Sequence, residues 1–371
     1  MRSIEQIGDI KGKIILVRVD FNVPLKNGKV EDDFRIKKAL PTIEFLRKKK
    51  AKIILITHLG KGGDSLMPVA EALNKFVKAT FVPYIIGAEV EKIISETKNG
   101  DIVLLQNLRN DKGEQGGNKG FAEDLAQLAD IYVNEAFPVD HRTDASIILL
   151  PKLLPSYAGL QLSLEVENLS RAFKNPKHPF LFILGGAKFS TKMPLIEKYL
   201  KLADQVFVGG ALANDFLKAR GYQVGQSLVD DANYDIKETL KNKKLVLPVD
   251  VIVKSSDKLI NKNVIDIKED EVILDIGKQT VANLGLLIEK SKLILWNGPL
   301  GKYEDGGAES TRDVLKLVAQ SKAESIIGGG DTVALITDMK MEKDFSFVSS
   351  GGGATLDFLV NGTLPGIKAL E

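Results

Sequence analysis

The chain has 371 residues, 44% of them hydrophobic and 27% charged, with a net charge of +2 and no cysteine. That length and composition suit a globular protein of two or three domains with apolar side chains enough for two cores. The charge balance gives no reason to expect nucleic acid or a membrane as partner, and the missing cysteines exclude disulfides, thiolate nucleophiles and thiolate metal sites.

Residues 1–6 carry an acid and lack an apolar core, so they do not read as a signal peptide. No apolar run nears the ~18–20 residues of a membrane span, and a cytoplasmic protein is expected. The run 13–24 begins as a β-branched buried strand, predicted at 14–19, and then alternates Arg18, Asp20 and Asn22 with Val19, Phe21 and Val23 before Pro24. Period-two alternation predicts one polar face where the strand runs out. A solvated fork at a strand end is the alternative.

Further strands are predicted at 53–57, 102–105, 131–133, 180–184, 205–208, 246–252, 271–275, 293–296, 325–328 and 345–349. Amphipathic helical stretches such as 34–48 and 67–78 lie between them. This alternation predicts βαβ units and parallel sheets, that is, an α/β fold of two doubly wound, Rossmann-like domains. Residues ~160–174 read as one amphipathic helix between the breaks at Pro151 and Pro155 and the break at 175–179, which suits a hinge between two halves. A crossover helix inside one large sheet is the alternative. His178, between a lysine and a proline in this linker, is expected to be exposed.

In the first half, Arg18, Arg35, His58, Lys61, Arg109, His141 and Arg142 all fall at or just past strand carboxyl ends. Parallel strands would bring those ends to one crevice, and converging guanidiniums call for a small, multiply anionic ligand. Single-stranded nucleic acid fits less well, because the interleaved aromatics are missing. In the second half the strand ends are glycine: 185–186, 209–210, Gly298, 328–330 and 351–353. Glycine permits close backbone approach, and a glycine loop opening a helix presents amides to phosphate. Asp331 is expected as an N-cap or as a carboxylate for Mg²⁺. Neither a P-loop motif, a dinucleotide fingerprint nor the protein-kinase motif set is present.

Taken together, residues 18–24 (RVDFNVP), 58–60 (HLG), 107–109 (NLR), 133–137 with His141-Arg142, 185–188 (GGAK), 296–299 (WNGP), 328–332 (GGGDT), 351–354 and 364–367 resemble phosphoglycerate kinases, in order and spacing, over essentially the whole chain. The resemblance implies Mg²⁺-dependent phosphoryl transfer between ATP and 3-phosphoglycerate, giving ADP and 1,3-bisphosphoglycerate, in a cytoplasmic monomer whose two domains close about a hinge. It implies an acid-binding domain at 1–157 with 358–371 packing back on it, a hinge helix at 158–176 and a nucleotide domain at 177–357. Asp20, Asn22, Arg35, His58, Lys61, Arg109 and Arg142 would bind the acid, with Arg18 beside them. Gly186, Lys188, Lys192, Gly210, Asn297, Glu304 and the run Gly328, Gly329, Gly330, Asp331 and Thr332 would bind nucleotide, with Asp331 on the metal and Glu304 on the ribose. Arg35, Lys188, Gly351 and Gly352 would serve the transfer itself. The chain departs from the family pattern at Lys61-Gly62, Gln106, Asn110, Pro138, Asp144 and Lys278, and Asp144 replaces a histidine. A relative that binds both ligands without turnover, or a different acyl-phosphate or sugar kinase, remains open at this point.

Overall fold

The computed structural model describes residues 1–230, 236–256 and 258–371, with the side chain of Glu304 outside the description. It resolves into two units: Met1–Glu167 with Thr363–Glu371, and Asn168–Gly362.

The first unit is built on β1 (Ile14–Val19), β4 (Lys52–Ile56), β5 (Thr80–Phe81), β6 (Ile102–Leu104), β7 (Ile131–Glu135) and β8 (Ser156–Ala158), with β2 (Leu25–Lys26) and β3 (Lys29–Val30) as a separate hairpin. The six-stranded sheet runs β5-β6-β4-β1-β7-β8, and every pairing is parallel. Parallel strands are covered on both faces, which is why Ile15, Leu16, Val17 and Val19 are all fully buried. The strand order reverses at β1, with β4 on one side and β7 on the other. In open α/β sheets that reversal leaves a crevice at the carboxyl ends.

The second unit repeats the plan with β9 (Phe180–Leu184), β10 (Gln205–Val208), β11 (Leu245–Val246), β15 (Leu293–Asn297), β16 (Glu324–Gly328) and β17 (Phe347–Val348), ordered β11-β10-β9-β15-β16-β17 and again all parallel. Its reversal lies between β9 and β15. Beside it is an antiparallel sheet of β12 (Asp250–Ser255), β13 (Lys258–Asn263) and β14 (Val272–Ile276). Leu217, Val224, Val251, Val253, Val264 and Ile267 form a small core beneath it.

The α/β class with two doubly wound parallel sheets is as the alternation predicts. Four details differ. The run 246–252 is two strands in two sheets, because Pro248 lacks the N–H a continuous ladder needs. The strand at 271–275 belongs to the antiparallel sheet. The helix Leu160–Ser170 stops short of 174, and the helix Met67–Leu73 short of 78. Among the described residues no helix is long and apolar enough to cross a membrane.

Candidate active site

In the first unit the carboxyl ends of β1, β4 and β6 and the loop after β7 deliver the cations. Arg35, in the first turn of the helix Phe34–Lys48, donates from Nη1 to Asp20 Oδ2 at 2.6 Å and to the Asn22 carbonyl at 3.3 Å. Asn22 in turn accepts from the Gly60 amide at 2.9 Å, which ties the end of β1 to the loop after β4. His58 is buried, and burial together with Arg18, Arg109, Arg142 and Arg35 pushes its imidazole far below the usual range. One neutral ring thus feels four guanidiniums. Arg109, which donates to the Gly60 carbonyl, keeps Nε and Nη2 buried without a hydrogen-bond partner, and so does Arg142 with its Nε. Buried donors are ordinarily satisfied. Three orphaned N–H-bearing nitrogens beside one another's positive charge form a site that an oxyanion completes.

Arg18 is the exception among the predicted cations. β1 ends at Val19, so the polar alternation does not continue as one strand face. Arg18 is fully buried, with Nε on Ser146 Oγ at 2.8 Å, Nη1 on the Val19 carbonyl at 2.6 Å and Nη2 on His58 Nδ1 at 3.2 Å. Glu114 lies 3.7 Å away and is itself held by the Ser146 amide and hydroxyl. Arg18 is therefore a buried buttress for His58, with each of its three nitrogens already engaged. Lys61 is exposed in the following loop.

In the second unit the loops after β9, β10, β15 and β16 interlock. Gly185 N donates to the Asn297 carbonyl and Gly186 N to the Pro299 carbonyl, both at 2.9 Å. Gly210 has φ +63°, and a Cβ there would lie 2.7 Å from Gly186 N, so only glycine fits. Lys188 is exposed just before the helix Phe189–Leu202. Lys192, one turn on, is buried with Nζ donating to the Gly185 carbonyl. Burial lowers its pKa to about 8, and Asp331 opposes that shift. Asn297 Nδ2 and Thr332 Oγ1 are buried without hydrogen-bond partners. Beside these loops opens a cavity of about 470 Å³ lined by Gly186, Gly210 and Asp331, with an apolar wall that includes Leu217, Val251, Leu274, Ile276 and Leu300. A cleft of that size and polarity suits a flat aromatic base with a polar end.

The structure brings Gly186, Gly210 and Asp331 to one cavity. Asn297 and Gly328 adjoin, since a Cβ on Gly328 would lie 3.1 Å from Asn297 Nδ2. Gly351 donates to Ser349 Oγ at 3.1 Å, and Gly352, at φ +52°, precedes the helix Gly353–Asn361. Asp331 is not an N-cap: the helix is Gly330–Asp338, Gly329 holds the cap position, and Asp331 is exposed in the first turn. Glu304 falls in the turn Tyr303–Asp305, and its side chain lies outside the described residues. His178 is half exposed, as expected, with Nδ1 2.6 Å from Asp204 Oδ2.

Sequence reasoning missed the apolar wall, which comes from one helix, two strands and the loop after β15, with no shared motif. It also missed Ser146 and Glu114, whose partner Arg18 is distant in sequence. Among the described residues no cluster of three or more metal-ligating side chains exists. The exposed Asp331 carboxylate still fits a Mg²⁺ ion that takes its other ligands from phosphate oxygens.

A family model described as phosphoglycerate kinase matches residues 4–362. Phosphoglycerate kinases of Dictyoglomus turgidum and of a Wolbachia from Drosophila simulans are 40% and 42% identical, covering 98% and 100% of the chain and 96% and 98% of the relatives. Among solved structures, phosphoglycerate kinase from Coxiella burnetii superposes with a TM-score of 0.86 at 38% identity, covering 99% of this chain and 98% of the other. The enzyme from Pyrococcus horikoshii gives 0.89 at 28% identity, covering 100% and 98%. With that family model matched over nearly its whole length and relatives at about 40% identity, the chain belongs to the phosphoglycerate kinase family.

Proposed function

We propose that the chain transfers a phosphoryl group reversibly between ATP and the carboxylate of 3-phosphoglycerate, giving ADP and 1,3-bisphosphoglycerate, as a monomer in the cytoplasm. The acid binds the first unit at Asp20, Asn22, Arg35, His58, Lys61, Arg109 and Arg142. The nucleotide binds the second, with its base in the apolar cavity, its ribose on Glu304, and its phosphates on Gly186, Lys188, Lys192, Gly210, Asn297 and the loop 328–332. The single observation that carries the acid site is the set of buried guanidinium donors on Arg109 and Arg142 that lack any protein acceptor.

The chemistry asks little of the protein beyond charge and position. A carboxylate oxygen attacks the γ-phosphorus, the bond to the β-bridging oxygen breaks, and the electron pair leaves on ADP. The attacking group carries no proton, so no general base is needed. Arg35, Lys188 and the helix N-terminus opened by Gly351 and Gly352 offset the charge on the phosphoryl oxygens in transit. Mg²⁺, held by Asp331 and phosphate oxygens, would neutralise part of the polyphosphate charge.

One coupled assay tests this: ATP, Mg²⁺ and 3-phosphoglycerate, with acetate and a sugar as control acceptors. ADP release with 3-phosphoglycerate alone supports the proposal. Ligand binding without ADP release would mark a relative that has lost turnover. A single species near 40.5 kDa in solution supports the monomer.

A further inference from the structure

Asp144 immediately precedes the short helix Ala145–Ile148, and its carbonyl accepts from the Ile147 and Ile148 amides at 2.9 and 3.1 Å. An aspartate in that position ordinarily turns its carboxylate back onto the first free amides of the helix. The Asp144 carboxylate does not. Its Oδ2 lies instead 4.0 Å from Arg109 Nη2, with the two side chains only 8% and 5% exposed. At that distance no hydrogen bond forms, and neither Asp144 Oδ2 nor Arg109 Nε and Nη2 has a hydrogen-bond partner elsewhere.

Two neighbouring acids, Glu114 and Asp20, behave differently. Glu114 accepts from the Ser146 amide at 3.0 Å and its hydroxyl at 2.6 Å, against Arg18. Asp20 accepts from Arg35 at 2.6 Å. Both carboxylates are thus hydrogen-bonded, Glu114 by Ser146 and Asp20 by Arg35. The Asp144–Arg109 pair is near enough for attraction and too far to use up either group's hydrogen-bonding capacity. Among the charges acting on Arg109, Asp144 is the foremost carboxylate and Arg142 the foremost cation.

We propose that Asp144 is a resident counter-ion: it neutralises Arg109 while the site is empty and repels the anion that later binds there, so it sets the affinity of the first unit for anionic ligands. This rests on the reading that the first unit binds a multiply anionic acid. The physical consequence is a threshold on affinity, since the repulsion weakens every anion at Arg109 alike. A small anion that reaches Arg109 alone gains little over the carboxylate already present. A ligand that also engages Arg35 and Arg142 gains enough from the others to tolerate the repulsion. Asp144 is thus a positioning residue that acts through Arg109 and has no direct part in the transfer.

The test uses the full chain and two variants that remove the charge. Asp144→Asn keeps the shape, and Asp144→Ser offers a hydroxyl able to cap the helix, which protects folding if the amide variant is unstable. Affinities for 3-phosphoglycerate and for inorganic phosphate are measured by calorimetry, and KM and kcat by the coupled assay. Both variants should bind both ligands about 10-fold more tightly, with the KM for the acid falling and the KM for ATP unmoved. Asp144→Glu, which restores the charge, should return affinity toward the original. Unchanged or weaker anion binding in a folded charge-removing variant overturns the proposal, since a purely structural role predicts that outcome. If the unaltered chain fails to use 3-phosphoglycerate, the reading of the acid site has failed, while the inorganic phosphate measurement still decides the role of Asp144.

Discussion

Arg18 Nη2 meets His58 Nδ1 at 3.2 Å inside the first unit, with both residues essentially buried. Arginine can only donate, so Nδ1 accepts and the ring proton is on Nε2. The buried buttress therefore fixes the tautomer of the one imidazole that four guanidiniums surround, and it keeps a donor available on the other ring nitrogen.

His58 should stay neutral throughout the working pH range. Nitrogen-resolved NMR of the ring should show the Nε2–H tautomer unchanged down to pH 5, with the signal assigned by its loss in His58→Gln. Unfolded histidine takes up a proton near 6.5, and folded His58 does not. The unfolded state therefore gains the proton as pH drops, and this residue's contribution, present above ~6.5, falls away by about 1.4 kcal/mol per pH unit below it. A His58 signal that titrates between pH 5 and 7 would contradict this.

Glu135, at the end of β7, works in the opposite direction. Its carboxylate accepts from the Thr42 hydroxyl and from the Gln161 and Leu162 amides at 3.0 Å, so it caps the helix Leu160–Ser170 from across the fold. Burial raises its pKa to about 7. A raised acid contributes stability that is fully present below the unfolded value of ~4.3 and lost as pH rises through about 7. Urea titrations should find Glu135→Gln less sensitive to pH across that window than the parent. Glu135→Ala should cost about 2–4 kcal/mol by stranding two helix amides.

Lys188→Ala should lower kcat by about 10²–10³ while nucleotide affinity stays within ~3-fold, as for loss of a charge used mainly in the transition state. The exposed Lys188 ammonium has no buried structural role, in contrast to Lys192, whose Nζ holds the Gly185 carbonyl. Stopped-flow turnover with direct nucleotide binding separates the two effects. Undiminished turnover would remove Lys188 from the transfer step.

Gly210→Ala combines a left-handed backbone with a collision against Gly186 N and, at 3.0 Å, the Pro299 carbonyl. Stability should fall by about 2–4 kcal/mol, with a raised KM for ATP. Gly221→Ala supplies the control. Its φ of +87° is also left-handed, yet nothing lies within 4 Å of the added methyl, so only the ~1 kcal/mol backbone term applies. Equal losses in thermal unfolding would show that the interlocked loops are not the constraint.

Most of the two parallel sheets was legible because their strands are buried on both faces and read as unbroken apolar runs; β1, β9 and β10 match their predicted limits. β13 was not legible, since five of its six residues are exposed and no apolar pattern marks it. β5 and β8 are too short to show a period. In the site, strand-end position placed Arg35, Arg109 and Arg142 near one another, and the structure gathers them about His58. Strand-end position misjudged Arg18, because pattern gives the face of a side chain but not whether a distant Ser146 or Glu114 has already claimed it. The wall of Leu217, Val251 and Leu274 was invisible for the same reason: proximity in space leaves no spacing in sequence.

The closing segment Thr363–Glu371 belongs to the first unit, where Gly366 N donates to the Asp140 carbonyl at 2.9 Å and Ile367 and Leu370 are buried. On the ribosome, the whole of the second unit emerges before that segment does. The order of completion is thus inverted relative to the order of synthesis, and the half of the protein made first must wait, unfinished, for residues 363–371. A chain truncated before residue 363 would have a finished second unit and an unsealed first one, exposed to proteases from birth.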